Sequence, residues 1–383
     1  MPKTIPLIAT SLSLPFLLFT PPALAAVLPA MPPSINIHAG PLGQVQVGGL
    51  FAFAGRAQSN VYPGASGPAG KTFSAAVSDA LISISKDTGT WQFYLEGGAY
   101  NFYVVGQPPS STGNIINATF GPLPLAYIQY TPSKNFNIQI GKLPAIPGIT
   151  PLTALISDSY GIEFGLTGAQ QQTVTRGIQA NYTLGPVAAS LAWTDGPYSN
   201  RYNWAVGQIA YSVSKASTVI TQAGGNLGRT GYSTSAASSY LNNSDFYLLG
   251  YNYSGNRWNV FGYLQYQKLL ATRRGGRSHG DQYGASIDAN YAFTPHYSLS
   301  TRVDYIAYSD QAAVANPNNG MGYGPGSRAV SLTLSPIYQY KHWFAEGDLS
   351  YVHVYHYQTG DVFGQNGTAP NQFVAMVNVG FLL

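Results

Sequence analysis

The fold is decided by residues 136–184, which open with FNIQIGKL (136–143) and close with RGIQANYTL (176–184). Apolar and polar residues alternate in both segments. Ile138 and Ile140 share one face of the first, and Ile178 and Ala180 share one face of the second. Alternation with a period of two is typical of a β-strand that has one apolar and one polar face.

The stretch between these strands, Pro144–Thr173, lacks this alternation and contains prolines at 144, 147 and 151. A loop of about thirty residues is unusual inside a compact soluble domain. Its length is explained if the strands belong to a membrane barrel, because the apolar faces would then meet lipid and the loop could fold into the polar lumen. The sequence leaves open a second arrangement, in which the loop only covers the mouth of the barrel.

The composition favours the same interpretation. Only 8% of the 383 residues are charged, compared with about 25% in an average soluble domain, and a lipid-facing wall needs few charges. The chain has no cysteine, which excludes disulfides and thiolate metal sites. The formal net charge of +4 is not concentrated in a basic domain, so we expect no nucleic-acid partner.

Residues 1–25 have the pattern of a secretory signal peptide. Lys3 precedes an apolar stretch, Ile5–Phe19, and Ala23-Leu24-Ala25 fits a small-x-small cleavage site. The stretch is short for a helix that spans a membrane, which needs about 20 apolar residues. We therefore expect export and cleavage near Ala25, followed by a periplasmic N-terminal lead at 26–43 that acts as a tether, and a transmembrane barrel at 44–383.

Short turns alternate with longer loops along the mature chain. Lys86–Thr90 and Pro132–Asn135 are examples of the turns, and Gly106–Leu123 and Arg56–Thr72 are examples of the loops. Bacterial outer-membrane barrels have short periplasmic turns, long extracellular loops and an even number of strands. The pattern predicts an antiparallel up-and-down barrel of sixteen strands. The strand at Val219–Gln222 is weak, so twelve or fourteen strands stay open, as does a soluble all-β fold.

The alternation also assigns charged side chains to the lumen. In the segment around residues 299–305, Leu299, Val303 and Tyr305 share the apolar face, whereas Arg302 and Asp304 share the polar one. The same rule applied to other strands gives the full set of lumen-lining candidates: Glu96, Asp288, Arg302, Asp304, Glu346 and Asp348.

The long loop contains two acids, Asp158 and Glu163. If the loop enters the lumen, these side chains are the candidates for the pore constriction.

A group of cations is predicted at the outer rim. Lys142 and Arg176 flank the long loop, and the alternation of their strands places them on the same face as the outward residues. The loop ATRRGGRSH (271–279) adds Arg273, Arg274 and Arg277. Such cations could donate charge-assisted hydrogen bonds to lipopolysaccharide phosphates. The alternative is that these cations are simply solvated at the rim and do not contact lipopolysaccharide.

The segments GKLPAIPG (141–148) and TDGPYSNRYNWAVGQIAY (194–211) resemble the β-barrel porin-2 family of OmpL-like proteins. The resemblance implies an outer-membrane diffusion channel, inserted by the barrel-insertion machinery. The chain ends in Phe381-Leu382-Leu383, which departs from the aromatic last residue common in such barrels.

We therefore expect a porin in a bacterial outer membrane, through which small hydrophilic solutes or ions diffuse passively. A non-conducting structural or adhesive barrel is the alternative, and an outer-membrane enzyme is a third. His353 and His356 are three residues apart on one strand and so point to opposite faces, and no catalytic set is evident. We expect no cofactor and no metal; the expected partners are membrane lipid, lipopolysaccharide, small solutes and, as an open possibility, further copies of the chain.

Overall fold

The computed structural model of the chain describes residues 28–30, 32–146, 161–228, 244–269, 280–309 and 323–383. Sixteen strands form the wall of the barrel, and we number them in chain order. They are β1 (Gln44–Gln58), β2 (Phe73–Lys86), β3 (Trp91–Ala99), β4 (Leu125–Ser133), β5 (Phe136–Pro144), β6 (Val174–Leu184), β7 (Val187–Thr194), β8 (Trp204–Ser212), β9 (Ser217–Asn226), β10 (Ser244–Ser254), β11 (Trp258–Leu269), β12 (Gly280–Thr294), β13 (Tyr297–Tyr308), β14 (Arg328–Tyr340), β15 (Trp343–Tyr355) and β16 (Asn371–Leu382).

Each strand pairs antiparallel with the next along the chain, and β16 pairs with β1 to close the barrel. The closed barrel of sixteen strands is confirmed, and twelve or fourteen strands are excluded. The weakly predicted strand is β9, in which Gln222 lies in register with Gln208 on one side and Leu248 on the other. Pairing on both edges stabilises the strand.

Smaller elements complete the described chain. Ile35–His38 is a short strand that pairs antiparallel with the start of β1, so this part of the N-terminal lead is not the free tether that we predicted. Tyr103–Val104 and Glu163–Phe164 form a short parallel pair. The helices are Gly40–Leu42, Gly67–Gly70, Thr112–Ala118 and Gly168–Gln170. None of the helices in the described ranges is long and apolar enough to cross a membrane.

The two faces of the wall differ as the alternation predicts. Large apolar side chains on the outward face are exposed, including Leu249, Leu264 and Val303, whereas their neighbours in sequence point inward and are buried. Trp343 and Tyr340 lie outward at the ends of their strands, where aromatic rings suit a membrane interface.

The outward position of Val303 leads to a prediction about stability. Val303 lies near the middle of β13 and is 47% exposed. Val303→Arg should lower the free energy of unfolding by about 2–4 kcal/mol, because it places a charge near the bilayer midplane. Val303→Leu is the matched control and should change it little. Denaturant titration in lipid measures both, and equal midpoints for the two variants would show that Val303 does not face hydrocarbon.

Candidate pore constriction

The long loop leaves the wall at Ala145 and returns at Thr173, and the Ala145 backbone N–H donates to the Thr173 carbonyl at 3.1 Å. Its described part, residues 161–173, is called the inner segment here. The Asp348 carboxylate on β15 accepts hydrogen bonds from the backbone N–H groups of Ile162 at 2.9 Å and Glu163 at 2.8 Å. Since Asp348 points inward and is buried, the inner segment begins inside the barrel.

Glu163 lies at the centre of a second set of contacts. Its backbone carbonyl accepts a hydrogen bond from Arg302 Nη1 at 2.7 Å, and its carboxylate accepts one from Ser350 Oγ at 2.7 Å. Arg56 Nε lies 4.0 Å from the same carboxylate. These partners come from β13, β15 and β1, so the inner segment is joined to strands on separate parts of the wall.

The inner segment continues along the inner wall toward β11. Gln267 Nε2 donates to the Gln170 carbonyl at 2.7 Å, and Gln171 Nε2 donates to Gln265 Oε1 at 3.0 Å. The approach is close enough to require glycine at 165, where a Cβ atom would lie 2.7 Å from both carboxylate oxygens of Asp304. For residues 161–173 the structure therefore shows a loop inside the lumen and not a cover over its mouth.

The structure places all six lumen-lining candidates on the inward face, where they are buried. Asp304 pairs with Arg302 at 3.0 Å and accepts from Ser331 Oγ at 2.9 Å. The remaining acids have neutral partners: Ser300 donates to Asp288, Asn378 to Glu346, and Tyr94 to Glu96. Each charge that we predicted for the lumen is thus held by named partners on the wall or on the inner segment.

Two inward charges were missed from the sequence. Arg56 falls in the region predicted to be a loop, but β1 continues to Gln58 and buries Arg56 beside Glu163. Asp79 shares the inward face with Ser83 and Ser85, and a register shift at Ser78 separates it from the first part of β2, since Ala52 pairs with Asp79 and the next residue of β1, Phe53, pairs with Val77. Continued alternation was a usable signal for both charges, whereas the bulge at Ser78 leaves no sign in the sequence.

The predicted rim cations have partners within the chain. Lys142 Nζ donates to the carbonyls of Phe120 at 2.8 Å and Leu123 at 2.7 Å. Arg176 pairs with Asp195 at 2.7 Å, and its guanidinium lies 3.9 Å from the centre of the Tyr198 ring. Their role toward lipopolysaccharide stays a prediction. Asp158, Arg273, Arg274 and Arg277 lie outside the described residues.

An apolar cluster formed by several loops lies beside the inner segment. Phe363 packs edge-on against Tyr62 and Tyr323, and Leu166 of the inner segment belongs to the same cluster. The Tyr323 hydroxyl donates to the Gly106 carbonyl at 2.5 Å. Burial raises the pKa of the Tyr62 and Tyr323 hydroxyls well above the ordinary value, so both remain neutral. These side chains therefore form a packed, apolar contact beside the inner segment.

Charge is divided unevenly around the lumen. Within the described strands and the inner segment, the inward charges belong to β12–β16, β1–β3 and Glu163, and the inward faces of β4–β11 carry none. The inward cations are Arg56 and Arg302, and the inward acids are Asp79, Glu96, Glu163, Asp288, Asp304, Glu346 and Asp348. Half of the wall is thus predominantly acidic and the other half is neutral. In the described part of the chain, no group of three or more histidine or acidic side chains could hold a metal ion.

A closed barrel of sixteen strands with a loop segment fixed inside it is the architecture of an outer-membrane porin. A family model agrees, because residues 42–383 match the family described as Putative beta-barrel porin-2, OmpL-like. The chain belongs to this family of outer-membrane porins.

Solved structures support the same fold. The outer membrane channel DcaP of Acinetobacter baumannii matches with a TM-score of 0.59 at 12% identity, over 88% of this chain and 97% of that one. The anion-selective porin from Comamonas acidovorans matches with a TM-score of 0.57 at 13% identity, over 88% and 99%. OmpT of Vibrio cholerae, in its trimer form, matches with a TM-score of 0.54 at 8% identity, over 88% and 99%. No curated protein matches the chain. At these identities the likeness shows the fold alone.

Proposed function

We propose that this porin is a general diffusion channel whose size limit is set by the inner segment. The observation that carries the proposal is the attachment of the inner segment to β1, β11, β13 and β15. A barrel of sixteen strands encloses an aqueous channel. A segment fixed inside the barrel narrows the cross-section of this channel but leaves it open. Small hydrophilic solutes and ions would cross passively, with pore width and wall charge as the selecting properties.

The charges of the inner wall favour cations. Among the residues that the structure describes, inward carboxylates outnumber inward guanidiniums, although the whole chain is formally positive at +4. Low-dielectric walls focus the field of lumen charges onto the water path. Asp158, the other predicted constriction acid, would add to this field if it lies in the lumen.

The test is electrical recording from purified protein in a planar bilayer. A porin should give uniform, long-lived conductance steps that grow with salt concentration. A structural or adhesive barrel should give a folded, heat-modifiable gel band and no steps, and this result would overturn the proposal. Turnover of lipid or peptide by the same preparation would instead favour an outer-membrane enzyme.

The outer membrane is the location of the family and of the similar barrels. We propose in addition that the signal peptide is removed after Ala25 and that the barrel-insertion machinery assembles the mature chain. N-terminal sequencing of the membrane-extracted protein should begin at Ala26, and a sequence that begins at Met1 would contradict cleavage. Assembly into homo-oligomers is supported by the trimer form of OmpT, and mass measurement in detergent would test it.

A further inference from the structure

The neutral half of the lumen carries a continuous row of polar side chains. Asn137 on β5 is in register with Asn181 on β6, Asn181 with Ser190 on β7, and Ser190 with Gln208 on β8. Gln208 is in register with Gln222 on β9. All five side chains have the inward parity of their strands. We call these five residues the amide row.

Hydrogen bonds join the first three members of the amide row to one another and, separately, the last two. Asn181 Nδ2 donates to Asn137 Oδ1 at 2.8 Å, and Ser190 Oγ donates to Asn181 Oδ1 at 2.7 Å. Gln222 Nε2 donates to Gln208 Oε1 at 2.8 Å. Within the described residues, the side-chain NH2 groups of Asn137 and Gln208 donate no hydrogen bond. Held amides of this kind present fixed donors and acceptors to a solute.

Solvent reaches most of the amide row. Asn137, Asn181, Ser190 and Gln208 are half-buried, whereas Gln222 is buried. On the acidic half, Asp304 and Asp348 are fully buried where they contact the inner segment. A solute beside the row could therefore touch its four half-buried members, whereas these two acids would act on it mainly through their field.

We propose that the amide row is the contact surface for neutral, polyhydroxylated solutes such as sugars and polyols. The inference rests on the proposed diffusion function and adds the solute class. A hydroxyl group both donates and accepts, as a side-chain amide does, so the row can replace water that a hydroxylated solute loses where it touches this part of the wall. Its five strands lie about 4.8 Å apart, which gives a row about 19 Å long. Because strands of such barrels tilt by about 40°, the row advances about 12 Å along the pore axis and can contact a solute repeatedly.

The experiment compares glucose with tetraethylene glycol, a neutral solute of similar size whose ether oxygens only accept hydrogen bonds. Swelling of proteoliposomes measures the entry rate of each. The variant Asn181→Leu/Gln208→Leu should lower the ratio of glucose entry to glycol entry by about threefold or more, because two amide contacts are lost. The control Ser83→Leu/Ser85→Leu introduces the same two leucine side chains at two inward, half-buried positions of β2 outside the row and should leave the ratio unchanged.

A second variant tests whether the row borders the water path. Gln208→Glu should shift the reversal potential in a salt gradient toward cations, because it places a new charge beside the permeating ions. An unchanged glucose-to-glycol ratio in the double variant, or an unchanged reversal potential in Gln208→Glu, would overturn the inference if each protein shows a folded, heat-modifiable band. Absence of any conductance from the wild type would instead overturn the diffusion function itself.

Discussion

Deletion of residues 147–171 should raise the single-channel conductance about twofold or more, because it removes most of a segment that lies inside the lumen. The barrel should tolerate the deletion, since the flanking residues Ala145 and Thr173 are already joined by a backbone hydrogen bond of 3.1 Å. Planar bilayer recording of the deletion beside the wild type measures the effect.

A point variant gives the same test without shortening the chain. Gly165→Leu should also raise the conductance, because a Cβ atom at 165 would lie 2.7 Å from the Asp304 carboxylate oxygens and 3.0 Å from Arg302 Nε. Because Asp304 and Arg302 are buried and paired with each other, we expect the inner segment to move away from the wall. Gly55→Leu is the matched control, since Gly55 has open space on the outward face of β1. Wild-type conductance in both the deletion and Gly165→Leu would mean that the inner segment does not limit the pore.

Removing the charge of Glu163 and removing the charge of Arg56 should shift ion selectivity in opposite directions. Glu163→Gln removes a carboxylate that lies 4.0 Å from Arg56, and the reversal potential in a salt gradient should move toward anions. Arg56→Gln removes the cation and should move it toward cations. A unit charge contributes about 1 kcal/mol at 4 Å in water, which corresponds to about fivefold in the local concentration of an ion.

The opposite signs separate electrostatics from structural damage, because a loosened segment would move both variants in the same direction. The shifts should also shrink at high salt, where the Debye length falls to about 3 Å at 1 M. The shift of the reversal potential in the variant Asp158→Asn/Glu163→Gln should exceed the shift in Glu163→Gln alone if Asp158 also borders the path. Equal potentials for the wild type, Glu163→Gln and Arg56→Gln would assign selectivity to the other inward acids.

Much of the wall could be predicted from the sequence, because the faces of a strand follow from a period of two once one face is known to be apolar. β13 illustrates this point. Val303 and Tyr305 are exposed outside the barrel, and Arg302 and Asp304 are buried inside it. The sixteen strands followed from the alternation of turns and loops in the same way, and the family resemblance added the function.

The rest of the site depends on contacts between residues far apart in the chain. Val77 and Asp79 face opposite sides of the wall because Ser78 is an extra residue in β2, and a bulge shifts the parity without a mark in the sequence. Arg176 is a predicted rim cation, and its partners Asp195 and Tyr198, from the loop after β7, could not be named from the sequence. The path of the inner segment likewise depends on Asp348, which follows it by 185 residues.

The most direct test of the account is a disulfide between the inner segment and the wall. Thr167 lies in the inner segment and Gly284 faces the lumen on β12, and a Cβ atom at 284 would lie 3.4 Å from Thr167 Cβ. This separation is close to that of disulfides, and the chain has no cysteine of its own. The pair Thr167→Cys/Gly284→Cys should form a disulfide in membrane-embedded protein after mild oxidation, detected by mass spectrometry of the linked peptides. Thr167→Cys/Gly224→Cys, with its second cysteine on β9, should form none. If the first pair stays reduced, and both of its thiols react with a maleimide added from outside, the inner segment does not lie against this wall of the lumen.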